Sequence, residues 1–404
     1  MKKAFLLVII YLNSFYLFSQ LPLFSDSTII SLLTCSPGKE VYAKFGHTAI
    51  RLNDPLTGND LIFNYGVFSF DTKNFYLKFI KGETDYQLAV YDTQSFLQEY
   101  IARNSMVWEQ ILNLTPQEKK KLIQSLLINY EPQNRIYRYN FVYDNCSTRP
   151  RDKIVEALEG EIEYTGFFEE KTFRDLIGIY TGENSWLKFG IDLILGADAD
   201  KVATRNESMF LPEMLMAQFQ SAKVISNFNS ARPLIVENKI IVQKNPEKLS
   251  QTFPLFLPIS VCLLLFLVAI TCTVLNNKRS FRVFDSIAYI VSGLMGLIIF
   301  YLMFFSAHPL VKSNFNILWL NPLNLFAGVF LWIRKTKPIL FYYQILNSLF
   351  LFIALIVFIL GIQEFNIASI FLILTFLLRT VRWVATTRKD FIFKNNLKST
   401  SKKY

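Results

Sequence analysis

Six side chains define what chemistry this sequence can do near neutral pH: two histidines, His47 and His308, and four cysteines, Cys35, Cys146, Cys262 and Cys272. Two imidazoles exclude a multi-histidine metal site, and four cysteines are too few for a disulfide framework. A cysteine with a histidine offers covalent catalysis, in which a thiolate attacks a carbonyl carbon and an imidazole moves the proton. Cys262 and Cys272 sit inside an apolar run and read as packing. Cys146 is therefore the candidate nucleophile and His47 the candidate base. The run Asp144-Asn145-Cys146-Ser147-Thr148-Arg149-Pro150-Arg151 reads as a turn entering a helix, with Pro150 tolerable in the first turn. There the unpaired N–H groups and the positive end of the macrodipole favour a thiolate and offer oxyanion donors; Arg149 and Arg151 add positive charge. A third residue must orient the imidazole, and Asn64, Asp144 and Asn145 are the candidates. The competing reading is structural, a Cys35–Cys146 disulfide in an oxidising compartment.

Several elements must position these groups. Residues 45–52 and 61–68 alternate as strands around the turn residues of 53–60, giving a β-hairpin that carries His47. If that hairpin pairs symmetrically, Asn64 lies nearly opposite His47. Thr115-Pro116-Gln117-Glu118 caps a helix over 116–130, residues 135–143 look extended, and a helix starts after Cys146.

The rest of the chain is apolar. Residues 1–20 have the charged start and short apolar stretch of a signal peptide, with a retained anchor as the alternative. Five segments, near 253–275, 284–305, 316–333, 339–361 and 366–384, are long enough to cross a hydrocarbon layer of about 30 Å. The net charge of +10 is not a nucleic-acid signal: residues 253–404 hold 15 Lys+Arg against 3 Asp+Glu, leaving 27 against 29 before them. The basic residues cluster in the connection after the first span, the connection after the third, and the tail. That bias predicts a cytoplasmic tail at 389–404, a five-span domain at 251–388 and an exported domain at 21–250. Trp319, Trp332 and Trp383 fall near span ends and read as interfacial anchors.

Several separated motifs are familiar in combination: Leu33-Thr34-Cys35-Ser36-Pro37-Gly38, Phe45-Gly46-His47-Thr48-Ala49-Ile50-Arg51, Phe63-Asn64-Tyr65-Gly66, Asn74-Phe75 with Lys78-Phe79 and Gly82, and Tyr143-Asp144-Asn145-Cys146-Ser147-Thr148-Arg149. In order, they resemble the DUF4105 family, the periplasmic domain of Lnb-type lipoprotein N-acyltransferases of Bacteroidota. The later residues His308-Pro309, Asn314, Asn316, Leu318 and Asn321-Pro322-Leu323 also look like that family. The resemblance implies an α+β domain of permuted papain-like (NlpC-like) fold, with His before Cys, followed by an α-helical membrane domain. It implies a multi-pass protein of the bacterial inner membrane that moves an acyl chain from a phospholipid, through a Cys146 thioester, to the α-amine of a diacylglyceryl-cysteine lipoprotein. His47 is then the base, the third member stays open with Asn64 preferred, and neither metal nor organic cofactor is needed.

The loop over 306–316 collects polar residues beside the membrane. His308, Asn314, Asn316 and Asn321, together with Arg149 near the thiol, are candidate substrate-binding residues; turn formation and helix capping are the alternative for the loop. Residues 160–250 suggest only a substrate-handling role. Two other functions use the same residues: a membrane-anchored papain-like peptidase or amidase acting on cell-wall peptides, and a non-enzymatic membrane scaffold.

Overall fold

The computed structural model describes residues 24–226, 230–245, 254–275 and 278–400, so the expected signal peptide and the last residues of the tail lie outside it. The N-terminal half is built on strands β1 (Ile29–Cys35), β2 (His47–Asn53), β3 (Asp60–Val67), β4 (Asp85–Asp92), β5 (Val107–Leu112), β6 (Ile136–Arg138), β7 (Glu161–Tyr164), β8 (Ala222–Ile225), β9 (Ala231–Pro233) and β10 (Ile235–Val242). Seven form one antiparallel sheet in the order β10-β5-β1-β2-β3-β4-β6; β7, β8 and β9 form a second. The expected hairpin is β2–β3. The stretch expected to be extended over 135–143 contributes only β6, because Asn140 and Asp144 exchange backbone hydrogen bonds and close a turn.

β1 is central and apolar on both sides, as a strand covered on both faces must be. Ile30 and Leu32 join Ile50, Leu52, Phe63 and Tyr65 under α3 (Pro116–Tyr130), α4 (Thr148–Ala157) and α8 (Pro212–Ser221). On the other face Leu33 and Cys35 pack with Ala49 and Ile62 under Phe96 and Tyr100 of α2 (Thr93–Ala102). Each such side chain contributes about 1.5–3 kcal/mol when fully buried, so the sheet is a stiff platform. The start of α3 follows its sequence signature, with Thr115 and Glu118 capping each other reciprocally. A short helix, α1 (Phe75–Lys81), leads from β3 towards β4, and α5 (Phe173–Thr181), α6 (Trp186–Ile194) and α7 (Arg205–Ser208) precede α8.

The C-terminal half is helical. Among the described residues four helices contain stretches long and apolar enough to cross a membrane: α9 (Pro258–Leu275), α10 (Lys278–Phe305), α12 (Lys337–Ile359) and α13 (Ile367–Thr400). The third expected span, 316–333, is not one helix. It folds as a 3-10 turn at Phe315–Leu318 and a short helix α11 (Asn324–Phe330) laid along α10. Contact is close because Gly293 and Gly296 have no side chain: a Cβ at Gly296 would stand 2.2 Å from the Leu320 carbonyl oxygen, and one at Gly293 2.4 Å from the Leu325 nitrogen. The broken backbone is covered by protein, as irregular chain among apolar helices requires. Asn324 donates to Ser292 Oγ at 3.0 Å and the Trp319 carbonyl at 3.2 Å, and accepts from Tyr343 Oη at 2.5 Å. Trp319 is not an interfacial anchor: it is buried, its Nε1–H donating to Asn316 Oδ1 at 2.9 Å. The buried charges of Arg379 and Asp285 pair at 2.7 and 2.8 Å.

Within the expected substrate-handling region, 160–250, β10 and α8 belong to the sheet domain, and the stretch from α5 to Asp200 joins the two halves. Arg174 on α5, only 2% exposed, pairs with Asp192 of α6 and Asp200. Asp192 accepts from Asn366 Nδ2 at 2.8 Å and Asp200 from the Glu364 N–H at 3.1 Å, both residues in the turn between α12 and α13. The loop after α10 adds Asn314 and Asn316, whose amides donate to the Leu193 carbonyl at 2.8 and 3.3 Å.

Candidate active site

His47 opens β2, opposite Cys35 of β1. The β2–β3 register runs from Asn53↔Asp60 to Ile50↔Phe63; continued, it sets Gly66 opposite His47 and Asn64 two residues away on the same face. The symmetric-hairpin expectation is thus displaced by two residues, yet the groups still meet diagonally. Asn64 Oδ1 lies 2.5 Å from His47 Nε2. With Nε2 taken, Nδ1 is the ring nitrogen left for the thiol.

Gly66 makes the third approach possible. Its φ is +90°, and a Cβ there would stand 3.1 Å from Cys146 Cβ and 3.8 Å from His47 Cε1. A side chain there would crowd the Cys146 Cβ and is disfavoured by the positive φ. A strand glycine beside a bulge is a recognisable mark of close approach, although Asn64-Tyr65-Gly66 alone does not name its neighbour.

Cys146 precedes the first turn of α4, and its presentation depends on Asn145. The Asn145 side chain accepts from the Ser147 and Thr148 N–H groups at 2.7 and 2.9 Å, and donates to the Phe141 and Phe210 carbonyls at 2.7 and 2.8 Å. Asn145 therefore anchors the Cys146 turn and does not orient the imidazole. Asp144 is likewise engaged elsewhere, holding Arg149 at 2.5 and 2.8 Å. The Arg149 guanidinium lies 3.5 Å over the Tyr137 ring, so this candidate substrate-binding cation is already clamped between a carboxylate and an aromatic face.

The electrostatics separate two thiols that lie near the same imidazole. Burial pushes the Cys35 thiol far above its usual range, leaving it neutral and inert. Burial acts on Cys146 in the same direction. There the His47 charge, a hydrogen bond from His47, and the Thr48 and Cys146 backbone N–H groups outweigh it and lower the thiol's pKa. His47 is raised despite its burial, through the Cys146 charge and hydrogen bonds to Cys146 and Asn64. Both shifts move the pair toward thiolate–imidazolium, the form a cysteine nucleophile uses. Both cysteines are free, so the disulfide alternative is not formed. Arg103, whose charge acts on His47 and Cys35, was not marked by any sequence pattern.

Three tyrosines lie within electrostatic reach of the thiol. Burial and then the Cys146 charge push Tyr86 up to about 12, and the same charge acts on Tyr137 and Tyr139. No group of three or more His, Cys, Asp or Glu with metal-binding geometry occurs among the described residues.

The loop candidates lie apart from this constellation. Asn314 and Asn316 are each 1% exposed and committed to α6, so they are closed to a lipid headgroup and act in docking. Asn321 caps the next turn, accepting from the Leu323 N–H at 2.9 Å. His308 Nε2–H donates to the Phe79 carbonyl on α1 at 2.8 Å.

Two family models match the chain: the Lnb N-terminal periplasmic domain over residues 23–177 and the Lnb transmembrane domain over residues 248–390. No curated protein and no solved structure matches it.

Proposed function

Since the chain belongs to the Lnb family and is a membrane protein with a periplasmic N-terminal domain, we propose that it is a lipoprotein N-acyltransferase of the inner membrane, with Cys146 as nucleophile, His47 as general acid–base and Asn64 as its orienting partner. The observation that carries this reading is the thiol–imidazole–amide arrangement, Cys146 against His47 and Asn64 Oδ1 2.5 Å from His47 Nε2, on a domain docked to membrane helices. Its order on the antiparallel sheet, base on β2 and nucleophile before α4, supports a permuted papain-like domain.

The thiolate attacks the phospholipid ester carbonyl, forming a C–S bond and a tetrahedral oxyanion near the Thr48 and Cys146 amides. On collapse the C–O bond breaks, the lysophospholipid alkoxide takes a proton from the His47 imidazolium, and an acyl-thioester remains. The lipoprotein α-amine then attacks the thioester, His47 accepts its proton, and loss of the thiolate leaves an amide and the starting ion pair. Asn64 steadies the imidazolium throughout.

Membrane placement follows from where the loops touch the N-terminal domain. Both the loop after α10 and the turn after α12 reach it. The 23 residues of α12 place its start about 34 Å from that side. The broken segment with α11 is then the fifth crossing, and Arg334, Lys335, Lys337 and the C-terminal end of α13 face the cytoplasm.

Intact mass analysis of protein incubated with phospholipid vesicles tests the proposal. One acyl adduct is expected on Cys146, absent in Cys146→Ala and discharged by a diacylglyceryl-cysteine peptide with acylation of its amine. No adduct in the wild type, or an adduct lost only to water, overturns the transferase assignment.

A further inference from the structure

The helix α1 has the wrong surface for a water-exposed element. Of its seven residues, Tyr76, Leu77, Phe79 and Ile80 are 70, 62, 48 and 41% exposed. Phe70 and Tyr42 beside it are 52 and 54% exposed. A contiguous bulky patch of this kind marks an interaction surface.

Its position identifies what covers it. Immediately beyond the end of the membrane helix α10 at Phe305, Ser306 Oγ donates to the Ile80 carbonyl at 2.9 Å, the Ala307 N–H to the Lys81 carbonyl at 2.7 Å and His308 Nε2–H to the Phe79 carbonyl at 2.8 Å. Gly82 packs directly on this loop, where a Cβ would stand 3.0 Å from the His308 nitrogen. These bonds hold α1 at the level where α10 leaves the bilayer, with Phe304 and Phe305 themselves 61 and 63% exposed. Lys73, Lys78 and Lys81, against Asp71 and Glu83, bring cations to headgroup depth.

A row of rings also leads from the patch toward Cys146, whose charge acts on Tyr86 and Tyr139. Ring centroids follow one another from Phe79 to Phe75 at 6.2 Å, Phe75 to Phe68 at 5.5 Å, Phe68 to Tyr86 at 4.8 Å and Tyr86 to Tyr139 at 4.1 Å. Phe68 lies two residues past Gly66, the glycine against which Cys146 packs.

We propose that α1, with Phe70 and Tyr42, inserts into the periplasmic leaflet of the membrane that holds α9–α13, and that the aromatic row from Phe79 to Tyr139 receives a phospholipid acyl chain and guides its ester to Cys146. Delivery rests on the transferase reading; insertion does not. A lipid tail suits the row because it offers apolar rings without a polar code, whereas a peptide backbone needs hydrogen-bond partners along its length.

Two measurements separate the halves. A bimane label on Leu77→Cys, in Cys146→Ser protein reconstituted into phosphatidylethanolamine vesicles, should be quenched by doxyl-labelled phospholipid; the same label on Thr57→Cys, in the β2–β3 turn, should not. Equal or absent quenching at the two sites overturns insertion and points to a protein occupant instead. In otherwise wild-type protein, Leu77→Asp with Ile80→Asp should slow acylation of Cys146 from vesicles about tenfold or more while iodoacetamide alkylates Cys146 at the wild-type rate. Unchanged acylation overturns delivery. If the wild type itself takes up no acyl group, the transferase reading fails and the quenching alone decides insertion.

Discussion

The periplasmic domain meets the membrane helices along two seams of opposite character. At one, Arg174, Asp192, Asp200, Asn314, Asn316, Gln363 and Asn366 interlock, with charges paired and most amides spent on backbone carbonyls. At the other, α1 is held by three hydrogen bonds to its own carbonyls and leaves large apolar side chains uncovered. A buried polar network tolerates little displacement, because each separated group would be desolvated without a partner. Apolar surface beside a bilayer tolerates exchange, since lipid tails replace one another at little cost. The first seam fixes the domain's height and orientation; the second is suited to a substrate that comes and goes.

The largest effect expected follows from breaking the polar seam. Arg174→Met removes the buried cation that faces Asp192 and Asp200, leaving Asp192 with Lys188 at 3.1 Å and the Asn366 amide, and Asp200 with the Glu364 N–H but no cation from α5. Removing one side of a buried ion pair costs about 3–5 kcal/mol. Thermal unfolding in detergent should shift down by several degrees, and limited proteolysis should cut near the domain junction. A melting curve like the wild type's would show that the seam does not hold the domain.

The next variant separates the chemistry from both seams. The Cys146 thiol is lowered by His47, and the imidazolium donates to Asn64, so each shift favours the charged form of its group. As the pH falls the thiolate is protonated and alkylation by iodoacetamide slows. Asn64→Ala removes the acceptor from Nε2–H, destabilises the imidazolium and so weakens the thiolate. The acid limb of the alkylation rate should move up by about one pH unit, the value of a hydrogen bond to a charged group. Asn64→Asp should restore it. Seam variants that remain folded should leave the limb in place; a limb that moves with them and not with Asn64 would assign the imidazole's orientation to another residue.

How much of this was legible in the sequence differs between the seams as well. The hairpin, the capped helix after Thr115 and the Cys146 turn were written locally, in alternation, turn residues and a capping pair. The nearness of Asn64 to His47 followed from hairpin parity, although the register lay two residues away from the symmetric one. Asn314 and Asn316 were visible only as polar residues beside a membrane. Their partner, the Leu193 carbonyl, is more than a hundred residues distant, and no local pattern announces a backbone acceptor. Arg174 was missed for the same reason. The break in the third span was hidden because its composition is that of a span: hydropathy counts side chains and does not see that Gly293 and Gly296 on the neighbouring helix let turns of irregular backbone lie close.

The smallest expected effect compares one hydrogen-bonding side chain from each seam. Asn316→Ala deletes an acceptor for Trp319 Nε1–H and a donor to the Asp192 and Leu193 carbonyls, all in buried surroundings. Such unpaired groups cost about 1–3 kcal/mol. His308→Ala deletes one bond at an exposed position, where water replaces the lost donor on the Phe79 carbonyl and Ser306 and Ala307 still hold α1. It should cost at most about 1 kcal/mol. Equilibrium unfolding should therefore rank Asn316→Ala below His308→Ala, while the rate of Cys146 acylation should stay within about twofold of wild type in His308→Ala, a change of about 0.4 kcal/mol. A folded His308→Ala protein that no longer acylates Cys146 would mean that the imidazole touches the lipid and that the apolar seam reads headgroups as well as tails. The same loss in Asn316→Ala without a fall in stability would make the polar seam part of the substrate path, and the division of labour between the two would no longer hold.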